Sequence, residues 1–202
     1  TEVFFGHPEL SAMWEWLDAD LAAAAANRSA APWIVVNGHR PLYCSCDGDC
    51  DGAATTVREG VDGKYGLEAL FWKYGVDFYM CGHEHDYERM YDVAPSKNTL
   101  VPWLSGKTTK ATTDMPATTY IISGAAGNHE DHEPFTRLKP DRSALRLNKY
   151  GYNRMFVYNA THIHWQFVVT DGSQSTPQYD VIGDDVWYVQ HKHGPFGERD
   201  VA

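Results

Sequence analysis

The sequence predicts an α/β fold on a largely parallel sheet. A helix-spaced apolar stretch, Pro8 to about Ala26, leads into the apolar run Trp33-Ile-Val-Val-Asn37. A second such stretch leads into Val76-Asp-Phe-Tyr-Met-Cys81, and both runs end in Gly-His, at Gly38-His39 and Gly82-His83. Further on the pattern changes to short strands between turn-rich loops, which predicts a more antiparallel layer completing the fold.

In the first helix Pro8 takes a first-turn position, and Leu10, Met13, Trp14, Leu17, Leu21 and Ala24 repeat at helical spacing. Asn27 and Pro32 stop it. Trp33–Asn37, continuously apolar, predicts a strand buried on both faces. Residues 40–63 are rich in Asp and Gly and predict a long polar loop, functional or tied by a disulfide. Leu67, Leu70, Phe71 and Tyr74 mark a second helix with Gly75 as its cap, and Val76–Cys81 a second buried strand. Thr118–Ile122, Arg154–Asn159, Thr161–Thr170 and Asp185–Gln190 read as the later strands.

The chain has 202 residues, with 7 Trp, 12 Tyr and 8 Phe, an aromatic content that needs a core and excludes disorder. No apolar stretch approaches the roughly 20 residues of a membrane helix, so no membrane insertion is expected. A formal charge of −10 argues against nucleic acid as a partner, and any phosphate handled must meet a local positive charge such as a metal ion. The chain starts at Thr1 with no signal-like segment, which reads as a piece of a longer protein.

Cys44, Cys46 and Cys50 are crowded, and Cys81 stands apart. Without a second pair at metal spacing, a small disulfide loop is the expectation, with Cys44 and Cys50 the candidates and the pairing left open. A disulfide implies an oxidising compartment. The sequons at Asn27 and Asn159 suit glycosylation there.

Ligand sites in open α/β sheets gather at the carboxyl ends of strands, where Gly38-His39 and Gly82-His83-Glu84-His85 fall. Glycine permits the sharp turn and imidazole offers a neutral nitrogen to a transition metal. Three histidines at two strand ends point to a metal site.

Val35-Val-Asn-Gly-His39-Arg-Pro-Leu-Tyr43 and Gly82-His83-Glu-His85-Asp-Tyr87-Glu88-Arg89 resemble the last two motifs of the metallophosphoesterases, specifically the purple acid phosphatases of animal, iron/zinc type. The likeness extends to Ile121-Ile-Ser-Gly-Ala-Ala-Gly127, Tyr150-Gly-Tyr-Asn-Arg-Met155 and Asp184-Asp-Val-Trp187. It implies the C-terminal half of a four-layer α/β/β/α metallophosphoesterase sandwich, with residues 1–116 completing the catalytic layer and 117–202 forming the family's C-terminal region. It also implies hydrolysis of a small phosphate monoester at acidic pH, in a secreted, extracellular or lysosomal-type compartment. The implied cofactors are Fe and a divalent metal (Zn, Mn or Fe). His39 and His83 would bind the divalent ion and His85 the ferric ion, with Tyr87, Glu88 and Arg89 bracing the loop. Oligomeric state is not implied.

The family's first three motifs are missing from residues 1–38, which hold no Tyr and place Asp18 and Asp20 on the first helix. Three of seven expected ligands are present. At the offset where plant members carry a substrate-contacting His pair this chain has Gly48 and Asp49, so no general acid is named. A phosphodiesterase or nucleotide pyrophosphatase of the same superfamily, and a non-catalytic fragment or isoform, remain alternatives.

Other patterns invite a site reading. Gly127-Asn-His129-Glu130 spells the family's third motif but falls after His85, where it reads as a loop near the site mouth. Asp47-Gly-Asp-Cys-Asp51-Gly52 begins like a calcium loop but has Arg58 where the bidentate Glu belongs, so a solvated turn is the better reading. His162 and His164 share the polar face of a strand whose other face is Ile163, Trp165, Phe167 and Val169. His191 and His193 read the same way, as structural.

Overall fold

The computed structural model describes residues 10–48, 50, 52–97, 101, 104–170 and 179–198; the helix start at Pro8 and the readings at Asp49 and Asp51 lie outside them. Helix α1 (Leu10–Ala26) precedes β1 (Val35–Asn37), α2 (Gly52–Glu59), β2 (Gly60–Val61), β3 (Lys64–Tyr65) and α3 (Leu67–Tyr74). Then follow β4 (Phe78–Cys81), β5 (Tyr87–Val93), β6 (Thr118–Ser123), β7 (Ser143–Leu147), β8 (Gly151–Val157), β9 (His162–Val169) and β10 (Val181–Val189).

A five-stranded sheet runs β1-β4-β6-β5-β7. Its β1, β4 and β6 are mutually parallel neighbours, and β5 is antiparallel to both β6 and β7. A second, antiparallel sheet runs β10-β9-β8. Strands from both sides of residue 117 thus share the first sheet.

Leu21, Leu67, Leu70, Phe71, Tyr79, Tyr120 and Ile122 fill the space between the helices and the first sheet. Phe78, Tyr87, Ile121, Ile163, Trp165 and Phe167 fill the space between the two sheets. The layers are therefore helix on sheet on sheet. Alternation along each strand does this, since successive side chains face opposite layers. Among the described residues no helix covers the outer face of the second sheet, where Phe156, Tyr158 and Trp187 are exposed. No described helix is long and apolar enough to cross a membrane.

Three expectations change. Val35–Asn37 is not buried on both faces: β1 is an edge strand, its Val35 and Val36 only half-buried against opposite layers. Residues 40–63 are not one loop, because α2 and β2 fall inside them, β2 pairing with β3 just beyond. Helix α2 buries Ala54, Val57 and Arg58 on one side, with Arg58 Nη1 donating to the Leu42 carbonyl at 3.1 Å. Strands β5 and β7 stand where none was expected, and the buried charges of β5, Glu88, Arg89 and Asp92, meet long-range partners described below. Helix α3 ends as expected at Gly75, whose φ of 64° is the left-handed conformation glycine allows.

Candidate metal centre

The parallel pairing of β1 with β4, Asn37 opposite Met80, brings the two Gly-His ends side by side. The ends also bind each other: Gly38 N donates to the Met80 carbonyl at 2.9 Å and Gly82 N to the His39 carbonyl at 3.2 Å. A Cβ on Gly38 would lie 2.1 Å from the Tyr79 hydroxyl, so any side chain here must displace Tyr79. His83 adopts φ 54°, a region sparsely used by side-chain-bearing residues and often met at functional sites.

His83 Nδ1 faces His39 Nε2 at 3.2 Å. Two imidazole nitrogens on one tetrahedral zinc, each about 2.0–2.1 Å from it, are about 3.3 Å apart, so the pair fits a single cation. Partial desolvation, with His83 and Arg40 nearby, lowers the His39 pKa and favours the neutral ring that metal binding needs. Among the described residues no third His, Cys, Asp or Glu donor joins this pair within 4.8 Å.

His85 is set apart from the pair. Its Nε2 is 3.8 Å from Glu130 Oε2 and its Nδ1 3.9 Å from Glu133 Oε2. Glu133 also accepts the His85 backbone N–H, and His132 Nδ1 lies 2.7 Å from the His85 carbonyl. His85 Nδ1 is buried without a hydrogen-bond partner, a nitrogen suited to a cation. Sequence reasoning missed Glu130, His132 and Glu133 as neighbours of this residue. The signal was the run Asn128-His-Glu-Asp-His-Glu133, read only as a loop at the mouth.

Tyr87 and Arg89 leave the histidine loop on the face toward the second sheet. The Tyr87 hydroxyl donates to Asp184 Oδ2 at 2.6 Å, accepts Trp165 Nε1–H at 2.9 Å, and its ring stacks on Phe167. Arg89 also binds Asp184. Glu88, on the opposite face, accepts from Ser45 Oγ at 2.6 Å. Asp184 is a partner the sequence reading did not anticipate.

Glu84, Asp86 and Glu88, alternate residues of this segment, are buried under the loop that carries Cys44, Cys46 and Cys50. Cys44 and Cys50 form a disulfide. Cys46 is a buried thiol donating to Glu84 Oε2 at 3.1 Å; burial, with Asp86 and Glu84 beside it, pushes its pKa far up. Burial and the neighbouring carboxylates likewise raise the Asp86 pKa well above the ordinary range.

His162, His164, His191 and His193 have structural partners, His162 Nδ1 lying 2.8 Å from the Thr161 hydroxyl. His164 stacks on Trp187, rings 4.5 Å apart and 4° from parallel, and meets Asp185 at 2.9 Å. His191 pairs with Asp114, and His193 meets the Ala160 carbonyl and the edge of Trp33. Asp18 binds Lys73 and Tyr74 on α3, away from the histidines. Asn27 and Asn159 are exposed.

Two family models match in succession: calcineurin-like phosphoesterase over residues 2–87, and the C region of iron/zinc purple acid phosphatase-like proteins over residues 117–176. The chain belongs to the purple acid phosphatase family of metallophosphoesterases. It is 41% identical over 201 residues to acid phosphatase type 7 of Homo sapiens, covering 96% of this chain and 43% of that protein. To an acid phosphatase of Aspergillus ficuum it is 30% identical over 189 residues, covering 92% of this chain and 28% of the relative. The chain thus spans less than half the length of these relatives. A purple acid phosphatase isolated from yellow lupin (Lupinus luteus) seeds has the same fold, with TM-score 0.63 and 21% identity over 88% of this chain and 28% of that one. The layering described above is the metallophosphoesterase fold, and the family implies a dinuclear metal centre.

Proposed function

We propose that this protein hydrolyses small phosphate monoesters at a two-metal centre to which it contributes His39, His83 and His85. The observation that carries the reading is the 3.2 Å approach of His39 Nε2 to His83 Nδ1 at adjacent strand ends. His39 and His83 would hold a divalent ion (Zn, Mn or Fe) and His85 a ferric ion. When bound, the pair of metals supplies charge neutralisation at the phosphoryl oxygens and a hydroxide nucleophile near neutral pH.

The chain's own residues orient the ligands. Gly38 and Gly82 lock the two loops together, and Glu133 holds the His85 backbone from the rim. Tyr87 and Arg89 anchor the following strand to Asp184, so the histidine loop leaves a fixed base. In this reading residues 1–116 carry the ligands and 117–202 supply that rim and anchor. Three imidazoles are fewer than a two-metal centre requires, so turnover belongs to a centre that further residues complete, and the 202-residue chain alone is expected to be inactive. The Cys44–Cys50 disulfide and the exposed sequons Asn27 and Asn159 support a secreted or lysosomal-type setting with glycosylation.

The test is elemental analysis, a visible spectrum and turnover of p-nitrophenyl phosphate against bis(p-nitrophenyl) phosphate, on the full-length protein and on this chain. Two bound metals and preference for the monoester in the full-length protein support the reading. Preference for the diester would move it to the phosphodiesterase class, and absence of metal and turnover would overturn it.

A further inference from the structure

Beneath the histidine loop lies a donor set that phosphate hydrolysis does not use. The sulfurs of Cys44, Cys46 and Cys50 and a carboxylate oxygen of Glu84 all lie within 4.8 Å of one another, and all four residues are buried. Cys46 Sγ is 3.4 Å from Cys50 Sγ and 3.1 Å from Glu84 Oε2. Zinc–sulfur bonds of about 2.3 Å put tetrahedral sulfurs about 3.8 Å apart, so small side-chain shifts would close these donors on one ion.

Two observations point to a ligand. Asp86 is fully buried, and apart from the Cys46 thiol beside it neither carboxylate oxygen has a hydrogen-bond partner. A buried carboxylate without a cation is costly. Gly48, in turn, leaves the space that the Glu84 carboxylate occupies: a Cβ there would fall 1.8 Å from Glu84 Oε2.

We propose that Cys44, Cys46, Cys50 and Glu84 form a redox-gated zinc site, closed by the Cys44–Cys50 disulfide and opened when a dithiol reduces it. In the reduction the dithiol is oxidised to its disulfide, and its two electrons and two protons pass to the sulfurs of Cys44 and Cys50. Zinc then displaces the three thiol protons to water and takes three thiolates and the Glu84 carboxylate as ligands. Those four anions outweigh the cation by two charges, and two guanidiniums stand at the pocket. Arg142 donates to the Cys44 carbonyl at 2.8 Å, and Arg146 reaches the Ser45 hydroxyl at 3.5 Å.

The test uses the full-length protein, oxidised or reduced with a phosphine, titrated anaerobically with Co²⁺ and then Zn²⁺. The expected result is a thiolate-to-cobalt charge-transfer band in the reduced protein alone, bleached by one equivalent of zinc. The band persists in His39→Ala and His83→Ala, which separates this site from the histidine centre. Cys46→Ser retains the disulfide and so folds when oxidised. Once reduced, it should bind zinc more weakly by more than the ~10–100-fold that loss of a supporting partner costs. Gly48→Ala, which displaces the Glu84 carboxylate without touching a sulfur, should weaken zinc binding in the same direction, and Cys81→Ser should not. The proposal fails if the reduced protein shows no such band, if the oxidised protein shows an equal one, or if reduction abolishes the near-UV circular dichroism and zinc does not restore it.

Discussion

Arg89 on β5 and Asp184 on β10 form a two-point buried ion pair across the sheets, Nε to Oδ2 at 2.5 Å and Nη2 to Oδ1 at 3.1 Å. A register shift between Ile182 and Asp184 turns Asp184 toward the interior, where it also accepts the Tyr87 hydroxyl. Removing one partner leaves the other charge buried and alone. Asp184→Ala should therefore cost about 3–5 kcal/mol, read as a fall in Tm of roughly 10 °C for a chain of this size. The double variant Arg89→Met, Asp184→Leu should recover most of that loss. A double variant as unstable as the single would show that the pair's charge is not what the interface depends on.

Glu68 gives a pH dependence. It lies in the first turn of α3, where the helix dipole favours a carboxylate, and it accepts a hydrogen bond from Tyr43. Burial outweighs both and raises its pKa. Protonation is thus favoured by folding, and the sign follows: the folded state is penalised as pH rises from about 4.3, the ordinary Glu value, until the folded-state pKa is passed. Glu68→Gln keeps an acceptor for Tyr43 and removes the penalty. Urea midpoints from pH 4 to 8 should show the variant gaining on the wild type as pH rises; parallel curves would contradict it.

Gly38 tests the turn that presents His39. Gly38→Ala puts a methyl 2.1 Å from the Tyr79 hydroxyl, which itself donates to the Arg40 carbonyl at 2.8 Å. The expected result is a loss of about 1–3 kcal/mol together with weaker metal binding. Tyr79→Phe removes the clashing oxygen, so the double variant should regain part of both by thermal melts and metal titration. If Tyr79→Phe restores nothing, the ring itself and not its hydroxyl holds the loop.

Much of this fold was legible because helical periodicity defines α1 and α3 and a continuous apolar run defines β4, whose Phe78 faces the second sheet and Tyr79 the helices. Strand β5 was not, since Glu88, Arg89 and Asp92 are charged and buried. Their partners, Ser45, Asp184 and the Thr108–Ala111 segment, are far away in sequence. Helix α2 hid behind the Asp- and Gly-rich stretch before it and its β-branched Thr55 and Thr56, which read as loop until Val57 and Arg58 are seen to pack. At the site, Gly-His at two strand ends was a local signal. Glu130 and Glu133 were not, because acids on a loop read as solvated until the fold carries them to His85.

The ligand reading itself is tested by His83→Ala and His85→Ala in the full-length protein. Neither imidazole is core: His83 is half-buried and touches His39, and His85 keeps a side-chain exposure of 20%. Histidine tolerates the left-handed φ of 54° at position 83 better than alanine does, so His83→Ala should cost up to about 1 kcal/mol and His85→Ala less, both short of unfolding. Turnover of p-nitrophenyl phosphate should be abolished in both, with bound metal reduced by elemental analysis. Cys81→Ala is the contrasting variant: Cys81 is buried in β4 two residues from His83, and its loss should cost about 1 kcal/mol with kcat unchanged. Near-normal turnover and metal content in either histidine variant would remove that residue from the centre. A fall in kcat in Cys81→Ala as deep as theirs would mean that all three substitutions act through the packing of β4 and not through a metal.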